Sequence, residues 1–177
     1  LKMFNKIAIF TPLNQFDRGG AQAYINDFID FIRITNQRKC LIISPDKNND
    51  YKYYRNENLF STLTSKLTTE NPIFSYLFAF IIYLQIIYLR QKYKFEYLYS
   101  VGIYPILLVY KFFPFFLPKL ILRPYGYDIQ LNKNYKYGIR LNNRINKIYK
   151  ENIKNHKYIS ISEDVYKELK KLNVKKN

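Results

Sequence analysis

The 177-residue chain has no tryptophan, one cysteine, one histidine and one methionine, and only five glycines. Each scarcity excludes something. A lone Cys40 forms no internal disulfide, and one histidine with one cysteine leaves no cluster of the kind that holds structural zinc. Cys40 opens the apolar run Cys40-Leu41-Ile42-Ile43, which fits a buried strand thiol and a reducing, cytoplasmic compartment. The few glycines form no G-x-G-x-x-G dinucleotide fingerprint, and no Gly-Lys-Ser/Thr of a P-loop occurs. RNP-like, zinc-finger and helix-turn-helix signatures are missing as well. Acidic residues are also scarce, 13 against 29 Lys+Arg, which leaves a formal charge of +16.

What is present points to a folded domain. A hydrophobic fraction of 48% with 19% aromatics excludes a disordered chain. The length fits one domain, residues 1–177, with enough material for a core. The basic excess calls for an anionic partner, and the lack of nucleic-acid signatures ranks an anionic membrane surface or a phosphorylated substrate first, with no nucleic acid. A lysine-rich composition on a solvated surface is the plainer alternative, since 19 tyrosines and abundant Lys, Asn and Ile suggest an AT-rich coding sequence. The stretch Asn71 to Leu89 carries no formal charge over 19 residues, close to the ~20 that span a bilayer. Ser75, Ala79, Tyr83 and Arg90 form a weaker stripe along it, so an apolar helix packed on a sheet and touching lipid is the better reading. The N-terminal residues enter a strand almost at once, so no signal peptide is expected ahead of the domain.

Strand and helix patterns alternate along the chain. Strands are expected at Lys6–Thr11, Lys39–Ser44, Phe95–Val101, Lys119–Gly126 and Lys157–Ser162, with a weaker one at 58–64 and a polar loop at 46–58. Helices are expected from residue 21 through Ile34, over Pro72–Lys92, 103–113 and 133–155, and after Ser162 as N-cap, where Glu163 and Asp164 favour the positive end of the dipole. The alternation implies an α/β fold, a Rossmann-like doubly wound parallel sheet. Ligands of such sheets bind at the carboxyl ends of the strands. Gly19, Gly20, Gly102 and Gly126 all fall just after an expected strand, where backbone approaches a ligand or turns with positive φ. Gly19-Gly20, with Arg18 beside them, end a long first loop at a helix N-terminus, a place suited to a phosphate or a sugar hydroxyl. Arg123 and Asp128 lie on the same edge. Arg123 suits a phosphate or an edge salt bridge, Asp128 sugar hydroxyls or a turn cap. Tyr24, Tyr104 and Tyr127 suit stacking on a sugar or lipid, or simple packing. His156, before the last strand, is expected at the surface, away from that edge.

Three stretches in order, "RGGAQAYINDFIDFI", "LILRPYGYDI" and "YISISEDVYKELKKLNV", resemble the N-terminal domain of retaining glycosyltransferases of family 4 (group 1). These enzymes have the GT-B fold, two Rossmann-like domains facing across a cleft. The resemblance covers essentially the whole chain, and it implies the N-terminal half of a GT-B fold, on the acceptor side. It implies transfer of a hexose-type sugar from a nucleotide-sugar to a saccharide or lipid-linked acceptor in surface polysaccharide or cell-envelope glycan synthesis. It places Arg18, Gly19, Gly20, Arg123, Tyr125, Gly126, Asp128 and Ser162 at the substrate cleft, with Asp128 the catalytic candidate. It implies no cofactor and no metal beyond the nucleotide-sugar donor. Tyr125 stands where the family commonly has histidine. The donor-binding domain with its Glu-x7-Glu element has no counterpart in the chain, so the fragment is expected to be inactive alone and to need that domain or a partner subunit. The location expected is cytoplasmic, peripheral on the inner face of the membrane. The alternative reading is a non-catalytic half-domain or subunit that binds a partner chain or a membrane surface.

Overall fold

Residues 6–12, 20–35, 39–59, 71–103, 105–124, 147–148, 151–152, 155–160 and 162–171 are described by the computed structural model. The first strand, β1 (Ile7–Phe10), is the apolar run IAIF, and it lies in the middle of a seven-stranded sheet. Its neighbours are β2 (Cys40–Ser44) and β5 (Tyr97–Val101), both parallel to it. Outward from β2 come β4 (Tyr54–Asn58) and the two-residue β3 (Asn49–Asp50). Outward from β5 come β6 (Lys119–Arg123) and β7 (Lys157–Tyr158). Among the described residues only the β3–β4 pair is antiparallel. The fold is therefore a Rossmann-like, doubly wound α/β sheet, as the alternation predicts.

The four longer helices among the described residues are α1 (Gly20–Ile34), α2 (Pro72–Tyr93), α3 (Ile106–Phe112) and α4 (Glu163–Lys171). Side chains alternate across a strand, so each strand feeds two cores. Ile9, Ile42, Tyr99 and Val101 pack with Ile25, Phe28 and Ile29 of α1. Phe10, Ile43, Leu98 and Leu122 pack on the other face with α2, α3 and α4. The chain leaves β1 toward β2 but crosses back from β4 to β5, β6 and β7. Connections of one hand then put α1 on one face and the later helices on the opposite one. The reversal falls between β1 and β5, which makes that boundary the switch point of the sheet.

Two expectations are corrected on the β4 side. The polar stretch read as a loop contains β3 and β4. The strand expected at 58–64 meets β4 at Asn58 and lies, beyond Leu59, outside the described residues. The inward groups of β4 are polar but satisfied. Asn56, fully buried, accepts from the Ser44 hydroxyl at 2.9 Å and donates to the Asp46 and Lys47 carbonyls at 2.9 and 3.1 Å. Glu57 accepts from Arg55 Nε at 2.8 Å and from the Tyr93 hydroxyl, with Lys92 at 3.5 Å. Burial pushes its carboxyl up, but the Tyr93 and Arg55 hydrogen bonds and the Lys92 charge outweigh burial and hold it below the usual carboxylate range.

Helix α2 starts as expected. Asn71 caps it by accepting from the Ile73 N–H at 2.9 Å, and Pro72 takes the first turn, where its missing N–H costs nothing. It ends at Lys94 in the left-handed region. Of its weaker stripe, Ser75 and Ala79 face the sheet, buried with Ile82, Gln85, Ile86 and Leu89, while Tyr83 and Arg90 are half-buried. Small residues there bring the helix close to the strands, and Gln85 donates to the Asn58 carbonyl. Among the described residues it is the one helix long and apolar enough to cross a membrane, with mean hydropathy 1.9.

Cys40 is buried as expected, and burial pushes its thiol up to about 12. His156 is corrected. It precedes β7 on the amino edge, as expected, but it is half-buried with its ring edge-on to Tyr110 at 5.7 Å. Of the helix expected over 133–155, the described residues 147–148 and 151–152 are helical.

Candidate functional site

The carboxyl edge at the switch point is built from the ends of β1, β5 and β6 and the start of α1. Thr11 follows β1, is fully buried, and donates its N–H to the Ile43 carbonyl at 3.0 Å. Gly102 follows β5 with φ of 100°, a left-handed conformation that suits glycine. Its N–H donates to the Arg123 carbonyl at 2.9 Å, and its own carbonyl accepts from the Ser100 hydroxyl at 2.7 Å. These bonds tie the β5 turn to the last residue of β6.

Arg123 is that last residue, and it is only 9% exposed. Its guanidinium lies over the Tyr24 ring, with Cζ 3.9 Å from the centroid. Tyr24 in turn packs on Tyr99 of β5, ring centroids 5.9 Å apart. Strand alternation puts Arg123, like Ile121, on the α1 face, and Tyr24 sits just past the first turn of α1. The fold therefore holds a cation against the N-terminal part of a 15-residue helix. The first N–H groups of a helix lack intrahelical acceptors, and the dipole makes that end positive. Among the described residues Arg123 has no ion pair and no side-chain hydrogen bond. A buried guanidinium left in that state calls for a counter-charge. Chemically the arrangement can receive an anion: a planar fork of donors near a helix N-terminus, held in place by aromatic stacking.

Of the residues singled out from sequence, the structure brings Gly20, the first residue of α1, Tyr24, Gly102 and Arg123 to this edge. Ser162 caps α4 beyond β7, its hydroxyl accepting from the Val165 N–H at 3.3 Å. It is exposed, and its described contacts are local. Arg18, Gly19, Tyr104, Tyr125, Gly126, Tyr127 and Asp128 lie outside the described residues. The edge salt bridge considered for Arg123 does not occur among the described residues. Its partner, Tyr24, is from sequence only a candidate for stacking on a ligand or for packing. The available signal is its place on the sheet-facing side of α1, in step with Ile25, Phe28 and Ile29.

No protein-family model and no curated protein sequence matches the chain. Among solved structures it is similar to Clostridium botulinum phage c-st TubZ, a C-terminal tail truncated protein. The identity is 18% and the TM-score 0.36, over 67% of this chain and 40% of that one. The chain thus spans well under half of that protein's length, and the likeness is too slight to carry a functional argument.

Proposed function

We propose that the chain is the N-terminal, acceptor-side domain of a GT-B retaining glycosyltransferase of family 4, and that its carboxyl edge receives the phosphate-bearing part of a nucleotide-sugar. The observation that carries this reading is the buried Arg123 guanidinium, stacked on Tyr24 near the start of α1. In the transfer of a hexose-type sugar to a saccharide or lipid-linked acceptor, negative charge grows on the leaving diphosphate. A preorganised cation and the free N–H groups at Gly20 would stabilise that charge without reorganising. The resemblance adds Arg18, Gly19, Tyr125, Gly126 and Ser162 to the substrate cleft and assigns Asp128 to the transferred sugar. A second Rossmann-like domain, on the same polypeptide or on a partner subunit, would complete the cleft and hold the nucleotide. No metal or other cofactor enters the proposal.

Calorimetric titration with inorganic pyrophosphate tests the site. The chain binds it, and Arg123→Gln weakens binding about tenfold or more, with Arg123→Lys in between, because lysine keeps the charge and loses the fork. Equal binding by Arg123→Gln overturns the site. Nucleotide-sugars should displace the pyrophosphate. If they fail to, the glycosyltransferase reading falls while the anion site stands.

A further inference from the structure

The face of α2 turned away from the sheet carries Ile73, Leu77, Phe80, Leu84 and Tyr88, exposed by 39–77%. Their spacing of three and four residues makes one continuous stripe, about 22 Å long at 1.5 Å per residue. A helix apolar all round is normally covered all round, yet among the described residues α2 is covered only by the sheet and, along one flank, by α3 and Phe113, on which Tyr76 and Phe80 pack. Ile73 and Tyr76 also wall an apolar groove of about 340 Å³ against Leu108 and Phe112 of α3.

Beside the stripe, the loop after α3 presents Phe115 and Phe116, 71% and 77% exposed. Phe116 has φ of 60°, an uncommon conformation for a bulky side chain. Pro114 and Pro118 stiffen this loop, and Arg90 of α2 donates to the Phe116 carbonyl at 2.5 Å. Two phenylalanines are thus held out in water from a braced loop.

Charge on the same elements identifies the occupant. From 90 to 119 the chain has five basic residues, Arg90, Lys92, Lys94, Lys111 and Lys119, and one acidic residue, Glu96. Glu96 is already paired with Lys6 at 2.7 Å. The Lys92 ammonium lies 5.6 Å from the Tyr88 ring, at the end of the stripe, an aromatic with a cation beside it as at a membrane interface. A second copy would bring its own charge of +16 against the first. A nucleic acid would meet the cations but leave the stripe in water. We propose that this face docks on the interfacial layer of an anionic lipid bilayer, with the α2 stripe and Phe115–Phe116 in the acyl boundary and the basic residues at the headgroups. The docking face is independent of the Arg123 site, so removing it leaves pyrophosphate binding unchanged.

The absence of tryptophan makes Phe116→Trp a unique reporter. With vesicles of phosphatidylcholine and phosphatidylglycerol its emission shifts to the blue and is quenched by brominated acyl chains. Pure phosphatidylcholine vesicles produce little change. In co-sedimentation of otherwise native chain, Phe115→Ser with Phe116→Ser weakens binding to the anionic vesicles about tenfold or more, and Leu77→Gln with Leu84→Gln does the same. All four positions are exposed, so circular dichroism and melting stay those of the parent. Undiminished binding by both double variants would mean that charge alone holds the chain to the vesicle, and it overturns the proposal. So does unchanged indole emission from the Phe116→Trp variant, equal binding to uncharged vesicles, or a dimer in sedimentation velocity that Leu84→Gln dissolves.

Discussion

His156, the chain's one histidine, takes its behaviour from where the fold puts it. Its ring packs edge-on to Tyr110, whose own hydroxyl donates to the Pro118 carbonyl at 2.6 Å. Burial lowers its pKa from the ordinary 6.5, because the imidazolium would lose its hydration there. The unfolded chain therefore takes up the proton first. The contribution to stability is full above about pH 6.5 and is lost as the pH falls from there through the lower folded value. Carboxylates titrate lower, so a loss in mildly acidic solution belongs to this residue. The urea midpoint of the native chain should fall between about pH 7.5 and about pH 5.5, whereas His156→Phe should be nearly flat over that interval. An unchanged slope in the variant would assign the loss to other groups. The sequence places this residue correctly before the last strand, but its burial depends on α3, more than forty residues away, and no local pattern carries that. The same holds for Arg123. Its place at a strand end is legible, but its stacking on Tyr24 joins two elements about a hundred residues apart.

At the scale of elements, legibility follows apolar patterning. β1, β2, β5 and β6 are apolar runs, and both their positions and their parallel, doubly wound arrangement follow from the alternation. β4 escapes such a reading because its inward positions hold Asn56 and Glu57 in place of aliphatics, and only the loop carbonyls and the Arg55, Lys92 and Tyr93 side chains make them tolerable there. Helix α2 is legible as a helix, but its facing is not, because large apolar residues lie on both sides: Phe78, Ile82, Ile86 and Leu89 go inward with Ser75, Ala79 and Gln85, while Ile73, Leu77 and Leu84 go outward. Two residues on this helix test the facing directly. Ile82 is fully buried, and Ile82→Ala should destabilise by about 3 kcal/mol, the lost transfer energy plus a cavity. Leu84 is 51% exposed, and Leu84→Gln should stay within about 0.5 kcal/mol. Denaturant titration of both variants decides it, and comparable losses at the two positions would mean that the outer face is covered.

For the molecule as a whole the dominant quantity is charge. At +16 the compact state works against its own repulsion, which salt screens over about 8–10 Å at physiological strength. Sodium chloride should therefore raise the melting temperature, and a relief of about 1 kcal/mol corresponds to roughly 2–4 °C for a chain of this size. Screening has no chemical preference, so any salt of equal ionic strength should act alike on the lysine-rich surface. The anion site proposed at Arg123 is different, because an anion that binds only the folded chain adds stabilisation by mass action. Pyrophosphate should raise the melting temperature beyond chloride at matched ionic strength, and Arg123→Gln should abolish the surplus while keeping the chloride response. The two effects separate because one charge in 29 cations hardly alters the overall field, whereas the guanidinium over Tyr24 is the centre of the local one. A surplus that survives in Arg123→Gln would place the bound anion on the exposed lysines and leave the switch-point crevice without its ligand.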